Sequence, residues 1–436
     1  MLICAKKILP LCLLALVISC SSKKETLEGT RISIVDRPRL AVAKTQKENS
    51  FALSEAVNLE TWSQTGSNAR HLYQNMLISE ETKKLWTSDF GKSASKRNLL
   101  MAVPVVANGV VYAQDVSGKI SAFDLKTGEL LFQHKLKSLN KNETSTGLNG
   151  AGLAVYDKNL YATAGFGGVF ALNALTGKPL WRADLNIPIR SAPTVANDML
   201  FVQTINNQLF CLSAKDGSEI WRYNISAEDT VLAGGSAPAF DASKQILVTI
   251  FSNGELQAFN ASIGYPIWSQ DLTSENSMPF AIQSTKTSPV IDGHTVYAAG
   301  SHTKTIAADL ETGEIIWEIP VGGISSPLVD KEAVFMVSSD YELLAVNKKS
   351  GQILWRTPVL NEMDLQDRRN ISVFAPLLLN NTLFVITSNG IVLRFDPFTG
   401  EPQPEASLDG DIALQPIVAD YSLITATQNA KLIVYK

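Results

Sequence analysis

Apolar and polar residues alternate along this chain in short bursts, as in Lys119-Ile-Ser-Ala-Phe123, and each burst is bounded by Gly, Asn, Asp or Ser. A period of two between turn residues predicts half-buried β-strands. Three landmarks recur in register. The first is a short apolar strand opened by a small residue and a proline. Pro104, Pro193, Pro238, Pro289, Pro327, Pro376 and Pro416 stand at seven openings, and Gly152 in Ala151-Gly-Leu-Ala154 takes that place at an eighth. The second is an aromatic or aliphatic strand such as Val110-Val-Tyr112 or Met199-Leu-Phe201, followed by a polar turn and an alternating strand. The third is a turn glycine with an aromatic four residues on: Gly128 before Phe132, Gly177 before Trp181, Gly217 before Trp221, Gly264 before Trp268, Gly313 before Trp317 and Gly351 before Trp355. Gly400 has no aromatic after it. A tight hairpin asks for positive φ at the glycine. So fixed a spacing assigns the aromatic to packing against the neighbouring repeat rather than to a ligand cage.

Four short strands in a unit of about 45 residues, written eight times, describe an all-β, eight-bladed β-propeller of four-stranded antiparallel blades. The last unit ends at Lys431-Leu-Ile-Val-Tyr-Lys436, one strand short, and an orphan strand, Lys84-Leu-Trp86-Thr87, precedes the first opening. The N-terminal strand is therefore expected to complete the last blade and close the ring. From each opening to its turn glycine the interval is 24 to 26 residues, whereas from each anchor to the next opening it runs from 10 to 21. Length variation is thus concentrated in connections that a propeller gathers on one face, as expected of a recognition rim.

Composition narrows the reading. The 436 residues are 45% hydrophobic and 18% charged with net charge −4, which excludes wholesale disorder and argues against a nucleic-acid surface spread over the protein. Cys4, Cys12 and Cys20 lie in the first twenty residues and leave Cys211 alone in the body, so no internal disulfide or cysteine metal cluster is available. Lys6 and Lys7 precede an apolar run from Ile8 to Ile18, too short to span a bilayer but suited to a signal peptide, residues 1–19. Val17-Ile18-Ser19-Cys20 resembles the lipobox of bacterial lipoproteins. That resemblance implies acylation of Cys20 as the membrane anchor, and Ser21 resembles the pattern sorted to the outer membrane. Residues 20–50 read as a flexible tether and 51–436 as a single propeller.

The small-Pro-x-Val, Thr-Gly-Glu and terminal Trp pattern resembles the quinoprotein-type (PQQ-like) propeller repeat from about residue 60 onward, and Trp62-Ser-Gln-Thr-Gly66 is similar to the Trp-x-x-x-Gly lead-in of that family. An acylated, eight-bladed, single-domain member resembles the BamB family of lipoproteins. The resemblance implies a periplasmic role at the outer membrane as a non-enzymatic scaffold of β-barrel assembly, docking a POTRA domain of BamA and meeting unfolded outer-membrane protein chains. Leu185-Asn-Ile187-Pro-Ile189-Arg190 offers two apolar contacts beside a guanidinium, a combination suited to an interface. It resembles the segment by which that family grips BamA, which makes Ile187, Ile189 and Arg190 the partner-binding candidates. The family's second, acidic cluster is absent, since Ala233 and Gly235 stand at the matching positions and Glu228 and Asp229 are the nearest carboxylates. Asn361 to Arg369 reads as a solvated rim insertion, or as a second contact.

Enzyme templates find little support. Quinoprotein dehydrogenases of this fold carry paired cysteines and a Glu, Asn and Asp set for calcium, but Cys211 sits alone in an apolar strand. His71, His134, His294 and His302 have no metal-ligand spacing, and Gly165-Phe-Gly-Gly168 reads as a strand turn. No cofactor, metal or catalytic residue is expected. A quinone-binding redox propeller and a polysaccharide-binding module stand as the alternatives.

Overall fold

Every regular element of the described residues is a strand, as the period-two pattern requires. The computed structural model describes residue 42 and residues 51–138, 151–225, 235–273, 287–301, 303–360 and 371–436. The strands form eight four-stranded antiparallel sheets. The first blade runs Val105–Ala107, Val110–Gln114, Lys119–Asp124 and Leu130–Lys135 from the inside outward. Six more follow at 152–184, 194–224, 239–271, 290–319, 328–358 and 377–407. The eighth takes Ile417–Ala419, Ser422–Ala426 and Lys431–Tyr435 from the end of the chain and Lys84–Asp89 from its beginning, so the ring closes as the orphan strand implied.

The turn glycine and the aromatic anchor answer to each other across blades. Trp86 lies on Gly128, Phe132 on Gly177, Trp181 on Gly217, Trp221 on Gly264, Trp268 on Gly313, Trp317 on Gly351 and Trp355 on Gly400, and a Cβ on any of these glycines would meet the ring at 2.3 to 2.8 Å. Positive φ is only half of the demand for glycine; the other half is the ring of the preceding blade. Each of these six anchor tryptophans also donates its indole N–H to a carbonyl of the next blade, such as Trp221 to Ala261 at 2.8 Å and Trp355 to Pro397 at 2.9 Å. Where Phe132 replaces Trp, Tyr112 donates its hydroxyl to Ala174 at 3.0 Å. The missing aromatic after Gly400 is now explained. The eighth blade is closed by a strand from elsewhere and has no turn glycine for a seventh-blade ring to cover.

Residues 51–79 form no strand, yet they bond to all eight blades. Ala52 and Ser54 donate backbone N–H groups to Glu332 and Asp330 of blade six at 2.6 and 2.9 Å. Leu59 accepts from Asp420 of blade eight at 2.8 Å, Trp62 exchanges two bonds with Val106 of blade one, and Ser63 accepts from Val155 of blade two at 2.7 Å. The Gln64 amide pairs with Val195 of blade three at 2.9 and 3.1 Å. Ala69 and Arg70 accept from Phe240 and Ile291 of blades four and five, and Met76 donates to Leu378 of blade seven at 2.9 Å. Inner strands of a propeller leave backbone groups unpaired toward the axis, and this strap satisfies them. Asn75, with no exposed surface, bonds both Ser54 and Asn381 and so locks the strap's two ends together.

Candidate docking rim and axial cavity

Residues 185–193 connect the outer strand of blade two to the inner strand of blade three. Leu185 donates its N–H to Gly167 at 2.9 Å, and a Cβ on Gly167 would meet Ile187 backbone at 2.7 Å. The Gly165–Gly168 stretch is thus a strand turn that cradles the loop. Asn186 takes φ 57, Pro188 accepts a bond from Ile205 at 3.0 Å, and Ile189 bridges to Thr204. This reversal breaks the apolar-x-apolar register. Ile189 is 0% exposed and packs among Val195, Leu200, Val202 and Phe210. The expectation that Ile189 offers a surface contact is corrected: it is the buried pin that holds the loop. Ile187 and Arg190 remain half-buried at the surface.

Arg190 differs from its neighbours. Arg182 pairs with Asp184 at 2.6 Å and Arg222 with Glu219 at 2.7 Å, whereas the Arg190 side chain has no ion pair among the described residues. Gly235 is the nearby residue on the next connection, with its Cβ position 3.8 Å from the Arg190 backbone, so no carboxylate stands at that place. Cys20, Ala233, Glu228, Asp229, His302 and the 361–369 insertion lie outside the described residues, as do the signal and tether apart from Val42.

Arg190 also lines a central cavity of about 1130 Å³. Around its wall stands the residue before each of the eight strand openings: Val103, Ala151, Ala192, Ala237, Ser288, Ser326, Ala375 and Gln415. Six of the eight are Ala or Ser, and this position explains them, because bulk at every opening would fill the axis. Trp62, His71 and Tyr73 of the strap complete the lining, with the Trp62 and Tyr73 rings 4.9 Å apart. This cavity was not legible as a site. Its only signal was the Trp62 to Gly66 lead-in, and its members are hundreds of residues apart.

His71 donates Nδ1–H to the Pro289 carbonyl at 2.9 Å, and burial brings its pKa down to about 4 against that bond. An unfolded histidine titrates near 6.5, so the folded chain binds fewer protons between the two values. Stability from this group is complete above pH 6.5 and is lost as pH falls toward 4, by roughly 3 kcal/mol in all. Thermal melts at pH 7.5 and 4.5 should show that loss. His71→Asn, which tolerates the φ of 58 at this position, should reduce the slope; an unchanged slope assigns the acid sensitivity elsewhere.

The remaining titratable candidates do not converge. Cys211 is buried between Phe201 and Trp221 with its thiol pushed up to about 12 by desolvation, the opposite of an activated nucleophile. His134 lies on the outer strand of blade one, and His294 is exposed beside Glu311 at 3.6 Å. Among the described residues no three His, Cys, Asp or Glu side chains cluster as metal ligands.

Comparison with known proteins finds one family that the middle of this chain is similar to. The family described as outer membrane protein assembly factor BamB, of the PQQ-like repeat type, matches residues 141–357. An uncharacterized protein of Rickettsia conorii is 28% identical over 228 residues, 51% of this chain and 54% of that one. Outer membrane protein assembly factor BamB of Burkholderia pseudomallei is 27% identical over 243 residues, 55% of this chain and 60% of that one. The match thus spans little more than half the length of these curated relatives. The crystal structure of BamB from Moraxella catarrhalis superposes with TM-score 0.68 at 17% identity, covering 81% of this chain and 99% of that one.

Proposed function

We propose that this PQQ-like propeller, a relative of the BamB assembly factors, is a non-enzymatic scaffold of outer-membrane β-barrel assembly, held at the periplasmic face by acylated Cys20. The similarity to proteins named as outer membrane assembly factors supports the general role. The observation that carries the docking reading is local: a guanidinium, Arg190, with no ion pair among the described residues, three positions from the half-buried Ile187 on a loop pinned by Ile189. A rigid apolar and cationic pair loses little entropy on association and fits an acidic, partly apolar partner surface. In this reading the partner is a POTRA domain of a BamA-like insertase. Two or three acyl chains on Cys20 make membrane attachment nearly permanent, and the tether before Val42, which bridges to Ile353 of blade six, gives the propeller reach. The ring then acts by position, presenting incoming unfolded chains to the insertase.

The test is capture of BamA from detergent-solubilised membranes. The intact protein is expected to retain it, and an Ile187→Glu, Arg190→Glu double variant to lose it while keeping the same circular dichroism. Ile189→Glu is the wrong probe, because a buried charge would unfold the loop. Capture by the folded double variant sinks the rim assignment, and no capture by the intact protein sinks the scaffold reading.

A further inference from the structure

The outer strands of the ring share one edge device, and one blade departs from it. In blades one to five and in blade eight the outer strand bulges just before its anchor, and the extra residue is aliphatic: Leu131, Leu180, Ile220, Ile267, Ile316 and Leu85. These six side chains are 43% to 52% exposed. A bulge twists a sheet edge and keeps other chains from adding to it. Blade seven carries Pro402 and Pro404 on its outer strand to the same end. Blade six has the bulge as well, at Leu354, yet Leu354 is 1% exposed. Ile353 before it is 4% exposed, against 37% for Ile315 at the same place in blade five. An edge that is half-open in every comparable blade is closed in this one.

Among the described residues, Val42 stands at that edge. It forms a parallel bridge to Ile353 and packs, half-buried, against the cluster that Ile353 shares with Trp317 and Val346. The pairings within blade six are all antiparallel, so this contact comes from outside the repeat. The chain is held again at the inner strands of the same blade. The Phe51 ring lies 6.1 Å from Phe335, and the Ala52 and Ser54 N–H groups donate to Glu332 and Asp330. Crossing four strands takes about 14 Å, well within the roughly 30 Å that the stretch from Val42 to Phe51 can reach. The chain thus meets the ring at the outer edge of blade six before it continues to the axis. Blades follow the chain around the ring, each anchor lying on a glycine of the next, so blade six stands opposite blade two. The 185–193 loop leaves blade two.

We propose that the outer edge of blade six is the docking surface for the chain's own N-terminal segment, pinned at Val42, so that a tether pulls on the ring from the side opposite the 185–193 loop. With Cys20 as the anchor, the chain between anchor and pin reaches at most about 80 Å, against about 110 Å if it were held only from residue 50. That consequence rests on the acylation reading, whereas the pin does not. The test is maleimide labelling of the full chain, read peptide by peptide by mass spectrometry, with Ile353→Cys and Ile315→Cys as matched probes. Ile353→Cys is expected to react at least tenfold more slowly than Ile315→Cys. Adding Val42→Asp should bring the two rates within threefold at unchanged circular dichroism, and adding Val42→Leu instead should leave Ile353→Cys slow. Photoreactive p-benzoylphenylalanine in place of Val42 should crosslink to the Ile353–Pro358 strand and to no other outer strand. The Val42→Asp chain should capture BamA as the intact protein does, so failure of the docking reading and failure of the pin are told apart. Equal rates for the two probes without Val42→Asp overturn the proposal. So does a slow Ile353→Cys rate that survives Val42→Asp, and so do crosslinks scattered over several blades.

Discussion

Replacing Trp355 by Ala should destabilise the ring by about 3–5 kcal/mol, in the range for a large buried aromatic. The side chain is 5% exposed, lies 2.4 Å from the Cβ position of Gly400, packs with Phe335 at a ring separation of 6.1 Å and donates to Pro397. Its loss opens a cavity between blades six and seven that β-sheet backbone is poorly able to collapse. Trp355→Phe keeps a ring over the glycine and gives up the N–H bond, so it should cost less. Gly400→Ala attacks the same contact from the other side and adds strain at φ 71. The decisive measurement is a double-mutant cycle by chemical denaturation. If the ring and the glycine form one joint, the Trp355→Ala, Gly400→Ala pair falls well short of the sum of the two single effects. Strict additivity would refute the joint.

A still larger effect is expected from the N-terminal side. A chain beginning at residue 91 retains all eight strand openings, yet it lacks Lys84–Asp89 and the whole strap. The eighth blade then exposes Lys431–Tyr435 as a raw edge, and all eight blades lose partners supplied by residues 51–79, six of them at the inner strand and blades six and eight at Asp330, Glu332 and Asp420 just after it. Each buried orphan costs about 1–3 kcal/mol, and several of them exceed the roughly 5–15 kcal/mol by which domains are stable. Such a chain should show no cooperative thermal transition and should aggregate through the open edge. A chain beginning at residue 51 should melt as the full chain does. A sharp transition for the chain from residue 91 would show that the strap fills the axis without holding it.

Much of the architecture lay in local sequence. The eight openings, the alternation and the turn glycines are each confined to a few neighbouring residues, and a repeat that cannot bury its own faces must stack and close. The orphan strand Lys84 to Thr87 could be paired with the incomplete last unit by counting alone. The role of Ile189 could not. Two apolar residues two apart share a face only while the chain stays extended, and the left-handed Asn186 with the Pro188 clamp turns Ile189 into the core and leaves Ile187 half-buried.

The sequence by itself determined the number of blades, their strand order, the closure and the positions where glycine is obligatory, because those follow from spacing within a repeat. Tertiary structure alone decided why the opening residues are small, why Gly400 lacks a following aromatic, and how Trp62, His71 and Arg190 come to share one cavity. His71 meets Pro289 across 218 residues of chain. Ring closure sets contacts of that separation, and no periodicity within a repeat encodes them.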